Sequence, residues 1–101
     1  MKKFYLLILL LSISFSQDIK FFGTILDTET KEPIIDANIV VLGSDFGSAS
    51  DLNGNFSVIN LKKQEYEILI SAIGYKDIIA SVNLINQDNY VFELIPEPVL
   101  S

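Results

Sequence analysis

The side chains of this sequence that could hold a metal ion are concentrated in one short run. Asp51, Asn53 and Asn55 alternate oxygen-bearing side chains in the way that a calcium-binding loop begins. Such a loop needs a bidentate carboxylate at its twelfth position, which is Lys62 here, and it needs flanking helices where this sequence predicts strands. We therefore interpret the run as a tight hairpin turn, in which Asp51 accepts hydrogen bonds from backbone amides two or three residues later and Gly54 takes a positive φ.

Catalytic chemistry has little support in the rest of the chain. There is no His and no Cys, so no imidazole or thiol is available to bind a soft metal or to move protons near neutral pH. A serine nucleophile would need a lysine as its base, and no such pair stands at a recognisable spacing. Gly43, Gly47, Gly54 and Gly74 lie in strand and turn contexts and no pair of glycines opens a helix, so a phosphate-binding loop is not predicted. We expect no catalytic residue, no cofactor-binding residue and no metal ligand.

The first 16 residues have the layout of a secretory signal peptide. Two lysines precede the apolar run Phe4–Leu11, and small residues come after it. The run is shorter than the roughly 20 residues that a membrane-spanning helix needs. Ser14 and Ser16 suit the two small-residue positions of a cleavage site. We expect a cleaved signal peptide over residues 1–16 and a mature chain that begins at Gln17.

The predicted mature chain is long enough for one domain. Removal of 16 residues from 101 leaves 85, and without cysteine their stability must come from an apolar core and strand pairing. Five lysines oppose 13 acidic residues, a net charge of −8 that repels nucleic acid and anionic lipid. Neither of these is an expected partner.

Short β-branched and aromatic segments, bounded by Gly, Asn, Asp or Pro, fill the chain after residue 18 and predict strands throughout. Seven strands with turns every 8 to 12 residues predict an all-β antiparallel sandwich or small barrel, because one sheet alone cannot bury both of its faces. The predicted strands are Ile19–Leu26, Ala37–Leu42, Ser48–Ser50, Asn55–Ile59, Tyr66–Ile73, Asp77–Leu84 and Tyr90–Ile95.

Several strands are apolar on both faces, although a sandwich buries only one face of each. Alternation directs Ala37, Ile39 and Val41 inward, and Phe56 and Val58 likewise. Apolar side chains that are predicted to point outward are then either covered by a partner or part of an ordinary sheet surface. They are Val40, Leu42, Leu69 and Ile73.

The motifs of the mature chain, taken in order, resemble the carboxypeptidase regulatory-like domain from about Lys20 to Ile95. The Asp-x-Asn-Gly-x-Phe turn, with Ile-Gly-Tyr later in the chain, is the most specific part of the match. The resemblance implies a transthyretin-like seven-stranded sandwich and structural roles for the matching residues, with Phe56 and Tyr75 as packing anchors, and it transfers no active site. These residues are Gly23, Asp27, Pro33, Ala37, Gly43, Gly47, Asp51, Asn53, Gly54, Phe56, Gly74 and Tyr75.

A signal peptide joined directly to this domain is similar to the start of a TonB-dependent outer-membrane receptor. That likeness implies three parts: a signal peptide at 1–16, the domain at 17–95 and a linker toward a possible plug domain at 96–101. It also implies a non-catalytic accessory domain at the periplasmic face of a bacterial outer membrane, with a protein partner that is a plug and barrel in cis or a periplasmic energy-transducing protein.

Two other functions are open to the same chain. The first is a free-standing exported β-sandwich that acts as a binding or adhesion module. The second is a transthyretin-like hydrolase, but those enzymes resemble one another in using His and Arg, and neither residue occurs here. An enzyme is therefore not expected.

Overall fold

Residues 19–98, which the computed structural model describes, form seven strands and no helix. The predicted signal peptide and residues 99–101 lie outside the described residues. An all-β fold of seven strands is confirmed, with strand ends that differ from the predicted ones by one or two residues. The strands are β1 (Ile19–Asp27), β2 (Asn38–Val41), β3 (Gly47–Ala49), β4 (Asn55–Leu61), β5 (Glu65–Ser71), β6 (Ile78–Asn83) and β7 (Asn89–Leu94).

The strands form two sheets that enclose one core. The three-stranded sheet has the order β4-β1-β7, and the four-stranded sheet has the order β3-β2-β5-β6. All neighbours are antiparallel except β1 and β7, which run parallel from the pair Phe22 and Asn89 to the pair Asp27 and Leu94. The prediction of a wholly antiparallel sandwich is therefore wrong at this pair. Parallel neighbours need a long crossover, and here the whole chain between the first and last strands supplies it.

The turn around Gly54 has the expected local geometry but not the expected role. The Asp51 carboxylate accepts hydrogen bonds from the amides of Asn53 and Asn55, both at 2.9 Å, and Gly54 has φ 77°. However, β3 pairs with β2 and β4 pairs with β1, so the turn leads the chain from one sheet to the other. The hairpin prediction for Asp51 and Gly54 is wrong, because the strands on either side of the turn pair with different strands in different sheets.

Alternation along each strand fills the space between the sheets. Ala37, Ile39 and Val41 have no exposed surface, as their predicted inward direction requires. An aromatic cluster is centred on Phe21, whose ring lies 5.1 Å from that of Phe56 and is nearly perpendicular to it. Burying one such ring contributes about 1.5 to 3 kcal/mol. The largest fully buried side chains are Phe21, Ile25, Ile39, Leu61, Ile68, Ile70, Leu94, Val41 and Val82.

Gly23 allows β1 and β7 to pair side by side. A Cβ atom at this position would lie 1.9 Å from the carbonyl oxygen of Tyr90 and 3.0 Å from the Phe56 ring. No side chain fits there unless the two strands separate.

Replacing Gly23 by Ala should lower the free energy of unfolding by about 3 kcal/mol or more, because the added methyl group forces the two backbones apart. Gly43→Ala is the matched control, since Gly43 has φ 80° but a Cβ there would meet no atom within 4 Å. Its cost should be only the backbone strain, about 1 kcal/mol. Urea unfolding of both variants measures the difference, and equal losses would show that the contact at Gly23 does not limit the pairing.

Candidate functional site

The chain leaves the sandwich at an end where residues from both sheets meet, which we call the exit end. After β7 the segment Ile95–Glu97 crosses from the three-stranded sheet to the loop between β5 and β6. The Lys76 amide donates to the Ile95 carbonyl at 2.9 Å, and the Glu97 amide donates to the Gly74 carbonyl at 2.8 Å. Backbone hydrogen bonds therefore fix the path of residues 95–97 across this end.

Asp27 and Tyr75 join the two sheets at the same end. Asp27 is the last residue of β1, and its side chain accepts hydrogen bonds from the amides of Glu29 at 2.7 Å and Thr30 at 3.0 Å. Its other oxygen accepts a hydrogen bond from the Tyr75 hydroxyl at 2.7 Å. Only 8% of Asp27 is exposed. The carboxylate thus holds its own loop and the loop between β5 and β6 together.

These hydrogen bonds alter the acidity of both groups. The Thr30 amide, and after it the Tyr75 hydroxyl, lower the pKa of Asp27 below its ordinary value. The hydrogen bond to Asp27, with burial and the nearby negative charges, raises the pKa of Tyr75. A carboxylate with three donors and a lowered pKa is suited to holding loops and not to transferring protons near neutral pH.

A second feature is a shallow groove of about 580 Å³ on the outer side of the three-stranded sheet. The Phe22 ring lies in it, with the Lys20 ammonium 5.4 Å from the ring centroid. The Thr24 hydroxyl donates to the Asn55 side-chain oxygen at 2.8 Å across the strands. These two contacts occupy part of the lining of the groove.

The four predicted outward apolar residues do lie on the outside. Val40 and Leu42 are each 38% exposed and Ile73 is fully exposed, whereas Leu69 is partly covered on the outer face of the four-stranded sheet. In the strand register Val40 stands opposite Leu69, and Leu69 stands opposite Ile79, which the sequence interpretation did not single out. These three side chains form a continuous outer row across β2, β5 and β6.

The predicted motif residues fall at different places in the fold. Asp27, Gly74 and Tyr75 meet at the exit end, and Pro33 lies beside Gly54 close to the end of β1. Ala37 and Phe56 lie in the core, whereas Gly43 and Gly47 flank the loop at the opposite end. Tyr75 was predicted as a packing anchor, but its hydroxyl also makes the hydrogen bond to Asp27, a contact between residues 48 positions apart.

The structural roles of two residues were not predicted from the sequence. Ser50 is buried, and its hydroxyl accepts the Ala37 amide at 2.8 Å and donates to the Ile34 carbonyl at 2.6 Å. The Tyr90 hydroxyl contacts the backbone of Asn83 on β6. A serine next to a turn and a tyrosine at an inward strand position are the signals that could have indicated them.

Neither a metal cluster nor a membrane-crossing helix is found in residues 19–98. No group of three or more His, Cys, Asp or Glu side chains is close enough there to hold a metal ion. Within the same part of the chain no helix has the length and apolar character to span a bilayer.

Comparison with known proteins identifies the family. A model of the CarboxypepD_reg-like domain matches residues 21–100, nearly the whole part of the chain that carries the sandwich. The chain belongs to the carboxypeptidase regulatory-like domain family. This family is one of regulatory-like domains and not of catalytic ones.

One curated relative shows where such a domain occurs. The chain is 39% identical over 80 residues to the TonB-dependent receptor SusC of Bacteroides thetaiotaomicron. The match covers 75% of this chain but only 8% of the receptor. This regulatory-like domain is therefore related to a small part of a much longer receptor.

Replacing Tyr75 by Phe should loosen the exit end. Loss of the hydroxyl leaves one Asp27 oxygen without its donor, so the midpoint of thermal unfolding should fall by several degrees. Amide hydrogen exchange at Lys76 and Glu97 should become faster, because these amides hold the exit segment. Tyr66→Phe is the matched control, since the Tyr66 hydroxyl binds the Lys62 backbone at the other end of the sandwich. Unchanged exchange at both amides in Tyr75→Phe would contradict the role given to this hydrogen bond.

The lowered pKa of Asp27 predicts a loss of stability in acid. A carboxyl group with a folded-state pKa below its ordinary value of 3.8 stabilises the fold above that value, and the contribution disappears as the pH falls through the lower, folded-state pKa. Asp27→Asn should be less stable than the native protein at pH 7, and its free energy of unfolding should depend less on pH below about 4. Asp45→Asn removes the same charge from an exposed loop at the other end and should be as stable as the native protein at pH 7. Identical acid profiles for the native protein and Asp27→Asn would refute this account.

Proposed function

We propose that this chain is a non-catalytic accessory domain of a TonB-dependent outer-membrane receptor, located on the periplasmic side. The observation that carries the proposal is the 39% identity, over 80 residues, to a TonB-dependent receptor. The signal-peptide layout of residues 1–16 supports export. Together with the family resemblance, it gives the proposed division into signal peptide, domain 17–95 and linker 96–101.

The exit end supports a mechanism by contact. Ile95–Glu97 is bonded to the loop between β5 and β6, and that loop is bonded to Asp27. A polypeptide that continues from this segment would leave the sandwich in a defined direction. The domain would thus act by its position relative to a plug domain later in the chain. Alternatively, it would act by its position relative to a periplasmic protein that contacts both this domain and the plug domain.

The composition agrees with a domain that acts by contacting another protein segment and not by catalysis. There is no His, Cys or Arg in the chain, and the Asp27 carboxylate, whose pKa is lowered, is occupied by three donors.

A free-standing exported binding module is the second candidate, and the outer apolar row Val40, Leu69 and Ile79 is the observation that favours it. The two candidates differ in what the gene encodes after Ser101.

The first test is to read the DNA beyond the codon for Ser101 in the source organism. A reading frame that continues into a plug and barrel is expected, and a stop codon at that point would refute the receptor proposal and leave the free-standing module.

The second test is an in-frame deletion of codons 17–95 from that receptor gene. The receptor should still reach the outer membrane, as cell fractionation would show, but its nutrient uptake should fall at least severalfold. An exit-end variant, Tyr75→Phe, should give a smaller loss, and the matched Tyr66→Phe should give none. Uptake unchanged by the deletion would overturn the accessory role.

A further inference from the structure

The four edge strands of the two sheets differ in how they are protected against pairing with another strand. Natural proteins shorten or bulge edge strands, or place charges and prolines on them, because free backbone groups invite strand addition. The edge strand β3 has only three residues, and β7 carries Glu93 in an ion pair with Lys31 at 2.7 Å. The register of β4 shifts near Asn60, which has φ 67°. Three of the four edges are thus protected.

The remaining edge strand, β6, has none of these features. It spans six residues, Ile78–Asn83, with no charged side chain and no proline, and its register with β5 is regular. A regular, uncharged edge of this length is an unusual feature of a stable exported domain. This strand is the part of the described surface best suited to backbone pairing with another chain.

The free backbone groups on this edge follow from alternation. The Leu84 amide donates toward β5, to the Gln64 carbonyl at 3.0 Å, so even-numbered residues of β6 bond to β5 and odd-numbered ones point away. The Tyr90 hydroxyl accepts the Asn83 amide and donates to the Asn83 carbonyl, which closes one end of the edge. The amide and carbonyl groups of Ile79 and Ser81 are directed outward.

The side chains beside this edge are apolar on the outer face. Ile79 is 64% exposed and continues the row formed with Leu69 and Val40. If Ile79 of one copy stood opposite Ile79 of another, the row would run without interruption across two joined four-stranded sheets. Antiparallel pairing about a twofold axis satisfies the same groups in both copies.

We propose that two copies of this chain associate through antiparallel pairing of their β6 strands, with Ile79 opposite its counterpart in the second copy. A twofold axis at Ile79 pairs the same free backbone groups of both copies, and this self-complementarity selects a second copy as the partner, whereas the charge distribution selects the surface. The described residues include 12 acidic side chains and five lysines, so two copies repel each other over most of their surfaces. The β6 strand brings no charge of its own to the contact. This inference does not depend on the proposed receptor function.

Cysteine cross-linking tests the register directly, because the chain has no cysteine of its own. Opposed residues of a hydrogen-bonded antiparallel pair have Cα atoms about 5.5 Å apart, which lies within the range that a disulfide spans. Ile79→Cys in the exported protein should form a disulfide-linked dimer under mild oxidation. In Ser81→Cys the two sulfurs would be separated by more than about 13 Å along the strands, so its dimer should form at least tenfold more slowly. Equal rates for the two variants would refute the proposed register.

Sedimentation equilibrium tests the association itself. The native protein should show a concentration-dependent dimer up to about 1 mM, and dimerisation should strengthen as NaCl is raised and screens the repulsion between acidic surfaces. Ile79→Lys should weaken the dimer at least tenfold, although the added positive charge reduces the overall repulsion.

Val91→Lys is the matched control, with the same charge change on β7 at a residue that is 61% exposed, and it should dimerise as the native protein does. Circular dichroism confirms that both variants remain folded. A native protein that stays monomeric at 1 mM in 0.5 M NaCl would overturn the proposal, and so would equal weakening by both substitutions.

Discussion

The close side-by-side pairing of β1 and β7 is the constraint on which the rest of the structure depends. β1 is the central strand of its sheet and binds β4 on one side and β7 on the other. The pairing with β7 is possible because Gly23 has no side chain where the Tyr90 carbonyl passes. With both neighbours in place, the inward side chains of β1, Phe21 and Ile25, are completely buried. The aromatic cluster and the order of this sheet both result from that arrangement.

The parallel direction of β1 and β7 also determines where the chain enters and leaves. β1 begins at Ile19 and β7 ends at Leu94, and the parallel register places these residues at opposite ends of the sandwich. Asp27 and the exit segment therefore lie at one end, where the Tyr75 hydroxyl joins the two sheets. A domain with this layout holds its first and last strand ends apart. That property suits an accessory position in a longer receptor, as we propose for this chain.

The acidic surface and the uncharged β6 edge have different consequences. Repulsion between negative charges favours solubility and separates copies of the domain, but it cannot protect an edge that carries no charge. The outer row that includes Ile79 lies next to that edge, so the apolar surplus noticed in the sequence and the free backbone groups seen in the fold belong to one surface. Strand pairing uses both kinds of group at once, the backbone for binding and the side chains for selectivity.

Much of the local structure could be predicted from the sequence. The alternation of residue types indicated all seven strands and the inward direction of Ala37, Ile39, Val41, Phe56 and Val58, because the two faces of a strand differ in burial and hence in side-chain type. The turn at Asp51 and Gly54 was recognisable because its side-chain hydrogen bonds and its positive φ are local, within five consecutive residues. The family could also be recognised, since its motifs are local runs of residues.

The tertiary structure alone decided which strands pair, and in which direction. Every strand offers the same backbone donors and acceptors, so nothing in the residue types of β1 and β7 shows that they are parallel neighbours. For the same reason the turn at Asp51 looked like a hairpin although it joins two sheets. The exit-end contact between Asp27 and Tyr75 could not be read from spacing either, because it exists only once both sheets have packed and brought residues 48 positions apart within 2.7 Å.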